Sequence, residues 1–197
     1  MSPLKYGNAD LSALIKAAKA HDSGKKGEGA LPVEKWHPEN CGDMDMVIRK
    51  DGSWWHEGTR ITRAPLIKLF SRVLRKDDDG ETYLVTPVEK IRITVDCAHF
   101  LAIRVDVKGA GTTQRLFFTT NMGDVIEVND THPLRVETDP KTLEPTPFVR
   151  VRGRLDALLG RAVFYELVEH AIEVGNQLGV YSGGRFYPLG PAGVHDV

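Results

Sequence analysis

Six arginines carry the chemistry this chain could do. Arg60 and Arg63 lie in the first half, and Arg150, Arg152, Arg154 and Arg161 lie at corresponding places in the second. A guanidinium offers a planar fork of N–H donors that matches phosphate and carboxylate oxygens. An aromatic face beside it would suit the ring of a phosphate-bearing compound, and Trp54, Trp55 and Tyr165 are near in sequence. The candidate ligand residues are therefore Arg60, Arg63, Trp54, Arg150, Arg152, Arg161 and Tyr165. The competing reading pairs these arginines with Glu57, Asp156 or Glu166, and exposed pairs of that kind signify little.

Other reactive groups are sparser. His37, Cys41, Asp43 and Asp45 form the densest set of metal-ligand types. Structural zinc asks for four ligands, usually paired Cys or His, so one His and one Cys point to a turn rather than a metal centre. Cys41 could act as a redox-sensing thiol only if exposed with a lowered pKa. His56 with Glu57, and His99, His132 and His170, are acid–base types without a matched nucleophile or second carboxylate. No nucleophile elbow or triad order is present. Gly24-Lys25 suggests a phosphate loop, but no strand precedes it and Lys26 stands where Ser or Thr is needed. The Asp77-Asp78-Asp79 run lacks the later glutamate of a calcium loop and reads as a solvated turn. The balance is against an enzyme, and no cofactor or metal is expected. A hydrolase or transferase of unfamiliar type would be revealed by turnover lost on changing His37, Asp43 or His56.

A net charge of -1 argues against a nonspecific nucleic-acid binder, which needs a basic excess. A hydrophobic content of 41% supports a real core and argues against general disorder. Apolar runs are too short for a membrane helix, the N-terminus lacks a secretory pattern, and Cys41 and Cys97 share no metal or redox spacing. Together these imply a soluble, cytoplasmic protein.

The elements that position these residues can be read from periodicity. Leu11, Leu14, Ile15 and Ala18 give an N-terminal amphipathic helix capped by Asn8 or Asp10, followed by a polar linker over 21–29. Alternation over 44–49, the Asp51-Gly52 turn and the aromatic stretch 53–56 predict a hairpin. Leu66, Leu69, Phe70, Val73 and Leu74 predict a helix from a Thr62 cap to Lys76. Period-two patterning then predicts strands over 82–86, 90–95, 100–107, 114–119, 124–128 and 134–137 in one antiparallel meander. Three prolines make 139–147 a linker, and 148–152 reads as a strand. A helix over 160–174 and a hairpin through Gly183-Gly184 complete the chain.

One order occurs twice: strand, glycine, an Arg-Ala helix start, glycine, then strands. It runs from His56-Glu57-Gly58 through Arg63-Ala64 to Gly80 and Tyr83. It recurs from Val151-Arg152-Gly153 through Arg161-Ala162 to Gly179 and Tyr181. This predicts an internal duplication, with a ligand cleft between two related modules.

The stretch Trp36-His37-Pro38-Glu39, Cys41-Gly42-Asp43-Met44-Asp45 and Asp51-Gly52-Ser53-Trp54 resembles a bacterial family, domain of unknown function 1285. The likeness continues through Tyr83-Leu84-Val85-Thr86-Pro87-Val88-Glu89-Lys90, Thr120-Asn121-Met122-Gly123-Asp124 and Arg161-Ala162-Val163-Phe164-Tyr165-Glu166-Leu167. It covers nearly everything after the linker. The resemblance implies a duplicated α+β arrangement whose C-terminal part is pleckstrin-homology-like. It also implies a nucleotide-like ligand in the groove between duplicates and a part in signalling. It supplies no catalytic residues.

The expectation is an α+β protein with an N-terminal helix and linker over 1–30, a first module over 31–95 and a second over 96–197. It would be a noncatalytic regulatory protein binding a small anionic ligand such as a nucleotide. The alternative is an interaction adaptor that captures a protein partner through the N-terminal helix.

Overall fold

Fifteen strands and three α-helices make up the described residues, 10–21 and 31–192 of the computed structural model. The chain divides into two units. The first comprises Met1–Ala98 with Gly153–Leu155, and the second His99–Arg152 with Asp156–Val197. The Asn8 cap and most of the 21–29 linker lie outside the described residues.

In the first unit, α1 (Leu11–His21) buries Leu14 and Ala18 and lies against α2 (Ala64–Arg72). The sheet contains β1 (Asn40–Ile48), β2 (Trp54–His56), β3 (Thr59–Ile61), β4 (Leu74–Lys76), β5 (Thr82–Val85) and β6 (Glu89–Val95). Their order is β3-β2-β1-β6-β5-β4. Two antiparallel meanders meet at a parallel pair of the first and last strands, with Asn40 beside Glu89 and Ile48 beside Val95. Met44, Met46 and Ile48 alternate into the core, where Ile91, Ile93, Leu84 and Phe70 are buried too.

The second unit repeats that topology. Its strands are β7 (Phe100–Lys108), β8 (Arg115–Thr120), β9 (Val125–Glu127), β10 (Leu134–Thr138), β11 (Pro145–Arg152) and β12 (Leu155–Leu159). The order is β10-β11-β12-β7-β8-β9, again with the first and last strands parallel at the centre, Phe100 beside Ala157. After β12 come α3 (Arg161–Val168) and a separate three-stranded sheet. That sheet contains β13 (Ile172–Val174), β14 (Gln177–Ser182) and β15 (Arg185–Pro191). Ser182 joins it to the larger sheet: its hydroxyl donates to the Val128 carbonyl and accepts from the Leu116 amide.

Four expectations are corrected. The helix expected over 62–76 begins after Arg63 and stops at Arg72. Residues 74–76 pair with Thr82, Tyr83 and Leu84, and ladder bonds to β5 replace the helical ones. The helix expected over 160–174 stops at Val168. Ile172 and Val174 are β-branched and precede a Gly175-Asn176 turn, so they form a hairpin with β14 instead. The stretch 139–147 is a turn that runs into β11. Pro145 and Pro147 sit at the beginning of that strand, where a missing N–H is tolerated. The single antiparallel meander is two mixed sheets, because each chain segment returns to pair its last strand with its first.

Candidate ligand-binding site

Alternation in β2 sends its two tryptophans to opposite faces. Trp54 is fully buried and stacks on Phe70, with ring centroids 6.1 Å apart. It is a core side chain, and its expected role as a ligand face is not available in this fold. Trp55 is the tryptophan on the outer face. It lies between Val47 on β1 and Arg60 on β3. Its indole N–H donates to the Ser53 hydroxyl at 2.8 Å, and that hydroxyl donates to Asp51 at 2.5 Å. Hydrogen bonds from the Ser53 hydroxyl and amide hold the Asp51 carboxyl below the usual carboxylate range. The chain of donors fixes the indole beside Arg60.

Arg60 and Arg63 are both exposed and have no ion-pair partner among the described residues. Arg63 is the N-cap of α2, with extended backbone. It offers no side-chain acceptor to the first-turn N–H groups, and that turn contains no acid. N-caps are normally Ser, Thr, Asp or Asn, and anions rather than cations suit the positive end of a helix. A cation at this cap, with a second one three residues earlier, therefore goes against local preference.

The arginines of the second unit sit differently. Arg150 donates through Nε to Asp156 at 2.6 Å, and Arg135 donates to the other Asp156 oxygen at 3.0 Å. Arg135 also reaches Glu137 at 3.0 Å and lies over the Phe148 ring at 4.8 Å. The backbone of Asp156 is tied to His99. The Asp156 amide donates to His99 Nδ1 at 3.2 Å, and the His99 amide donates to the Asp156 carbonyl at 3.1 Å. As an acceptor, Nδ1 leaves the ring proton on Nε2 of the neutral imidazole. Arg152 lies over Phe100 at 5.0 Å, with Asp124 at 3.9 Å. Arg161 and Tyr165 are one turn apart on α3 and both exposed, with Glu144 at 3.9 Å from Arg161. Arg154 pairs with Asp78, both within the first unit.

Sequence reasoning missed a polar network on the first sheet. Arg75, on β4, donates to Asp77 at 2.5 Å and to the carbonyls of Val33 and Trp36 at 2.8 and 2.7 Å. Lys90 donates to the same Asp77 at 2.8 Å and lies 4.2 Å over the Tyr83 ring. Tyr83 in turn donates to Asp79 at 2.7 Å. Burial alone would raise the Asp77 pKa. The hydrogen bonds from Arg75 and Lys90 outweigh it and hold the carboxyl below its ordinary value. Burial and the bond to Asp79 push the Tyr83 hydroxyl up. The only sequence signal was the aspartate run itself.

The metal-type cluster does not assemble. Asp43 accepts from Arg92 at 2.6 Å, and Cys41 sits opposite Lys90. Among the described residues no group of three or more His, Cys, Asp or Glu is placed to hold an ion. His56 Nδ1 lies 2.9 Å from the Asp45 carbonyl, and Cys41 and Cys97 form no disulfide. No described helix is long and apolar enough to cross a membrane.

These features define an α+β protein with two similar six-stranded sheets, one in each unit. The chain belongs to the DUF1285 family. Residues 31–98 match its N-terminal domain of unknown function, and residues 99–189 match the C-terminal domain. It is similar to a DUF1285 family protein from Silicibacter pomeroyi DSS-3, a crystal structure. The two share 42% identity over 90% of this chain and 94% of that one, with a TM-score of 0.83. A DUF1285 family protein from Shewanella baltica OS155 is 27% identical over 64% of this chain and 92% of that one, with a TM-score of 0.48. No curated protein matches the chain.

Proposed function

We propose that the protein is a noncatalytic regulatory, signal-transducing protein that binds a small anionic ligand of nucleotide type. The observation that carries this reading is the pair of exposed guanidiniums, outside any close ion pair, at the start of α2. Arg60 and Arg63 are in no ion pair among the described residues, with Asp51 near enough to Arg60 to feel its charge, and Arg63 caps a helix whose first turn contains no acid. An anion there would engage both guanidiniums at the positive end of the helix, where the Leu66 and Ile67 amides already donate to the Arg63 carbonyl. The partly exposed Trp55 ring beside Arg60 supplies the face on which a base would stack. In the same reading Arg161 and Tyr165 make a second, smaller cation–aromatic pair on α3. The strands of the second unit, followed by that helix, make up its pleckstrin-homology-like part, and the protein works in the cytoplasm.

Thermal denaturation with a panel of mono-, di- and trinucleotides tests the proposal. At hundredfold excess over Kd a ligand stabilises the folded state by about 2.7 kcal/mol. That gain should vanish in the Arg60→Ala, Arg63→Ala double variant and should accompany quenching of Trp55 fluorescence. A panel that leaves the melting temperature of the wild-type protein unchanged at millimolar concentration removes the reading. The adaptor alternative has less support, since Leu14 and Ala18, half of the expected α1 stripe, are buried. Partner capture surviving deletion of residues 1–30 would remove it.

A further inference from the structure

In the second unit, the outer edge of β13 is open. The strand order ends at β13, so no neighbour among the described residues takes its outward N–H and C=O groups. Gly175 and Asn176 form a two-residue turn, so Val174 and Gln177 flank it and exchange bonds with each other. Pairs alternate along an antiparallel ladder, which directs the amide and carbonyl of Glu173 outward. All three strand residues are exposed. Ile172 and Val174, on one face, are 43% and 41% accessible, and Tyr165 on the preceding helix is 62% accessible.

Natural sheet edges are usually blunted by inward charge, proline or a covering element. In this unit β10 has β15 against it, and β9 has a buried Ile126 and a Glu127 engaged by Arg115. At β13, two branched apolar side chains flank a free backbone. Its surroundings are acidic. Glu166, Glu169 and Glu173 are all exposed and have no ion-pair partner among the described residues. A second copy fits poorly, because two-fold antiparallel pairing centred on this strand would set Glu173 against Glu173.

We infer that β13 is a strand-addition surface for a protein segment that alternates basic and branched apolar residues. The partner strand would take up the outward N–H and C=O groups of Glu173. Its apolar residues would cover Ile172 and Val174, and its cations would meet the three glutamates.

Titrating the full chain with a synthetic peptide of about eight alternating lysines and valines tests this by amide NMR. A glutamate–valine peptide of equal length is the control. The lysine peptide should shift the amides of residues 172–174 and slow exchange at Glu173, and the glutamate peptide should not bind. Glu173→Pro removes the outward N–H and should abolish binding. Ile172→Thr with Val174→Thr keeps the branched shape and guards against misfolding of the proline variant; it should weaken binding several-fold. Changing the three glutamates to glutamine should weaken it about tenfold. Equal binding of both peptides, shifts centred elsewhere, no binding, or a peptide-free dimer through β13 would each overturn the inference.

Discussion

The two six-stranded sheets share one strand order and differ in what interrupts it. In the first unit a helix, α2, links the two meanders and sends Phe70 into the core. In the second, the same link is the loop 128–133, held by the Asn129 side chain, and the helix comes only after the sheet is complete. The charged groups diverge in parallel. Arg135 and Arg150 converge on Asp156 in the second unit, whereas Arg60 and Arg63 beside α2 are in no close ion pair among the described residues. Equal topology thus coexists with one ion-paired and one exposed, loosely compensated set of guanidiniums. Fold and site are separable properties here.

The comparison can be broken or sharpened by substitution. The largest effect is expected for Phe70→Ala. It empties a fully buried ring site against Trp54 and should reduce stability by about 4 kcal/mol in urea denaturation. Survival of the first sheet with full stability would show that its linking helix is dispensable, as in the second unit. Next comes Asp156→Ala, which removes the carboxylate that two partly buried guanidiniums share and should cost about 3 kcal/mol.

Asp77→Asn follows, at about 2 kcal/mol near neutral pH, because Arg75 and Lys90 then share no charge partner. The sign of its pH dependence follows from linkage. The folded carboxyl titrates below its unfolded value. Its stabilisation is therefore full above the unfolded pKa of about 4 and disappears as pH falls through the folded pKa. Denaturation midpoints between pH 2 and pH 6 (roughly the span that brackets this titration) should converge for wild type and Asp77→Asn at the acid end. The smallest effect is expected for Arg60→Ala with Arg63→Ala. It should change stability by less than about 0.5 kcal/mol in either direction. A loss comparable to Asp156→Ala would mean that the first unit's arginines are structural after all.

Much of the architecture was legible because its signals are local. The Asp51-Gly52 turn, the alternation of Met44, Met46 and Ile48, and the Gly183-Gly184 hairpin each specify their own geometry. The internal duplication is present, but in another register: β1–β6 match β7–β12, so the α2 and α3 segments aligned through Gly58 and Gly153 occupy different places. Long-range pairing was not legible. Nothing near Glu89 announces that β6 lies beside β1, and apolar spacing that suits a helix over 66–74 also suits a helix that breaks into β4. The site was half legible for the same reason. Asp156 is one of three acids the sequence offers to the arginines as a group, but Arg150, expected at a ligand, is the residue that pairs with it. Choosing between Trp54 and Trp55 required the strand phase, set by the buried Ile48 opposite Trp54 and the half-buried Val47 opposite Trp55. Arg75 was read as a helix-terminal cation because its acceptors, the carbonyls of Val33 and Trp36, are about forty residues away in the chain.

Pairing the opening strand of each sheet with its closing strand has a consequence for synthesis on the ribosome. When β1 emerges, its permanent neighbour β6 does not yet exist, and β7 waits likewise for β12. Until then each half-built sheet presents a bare apolar strand flank at its middle. Contacts so distant in sequence form slowly, so these two seams are where nascent chains of this protein would need a chaperone's protection.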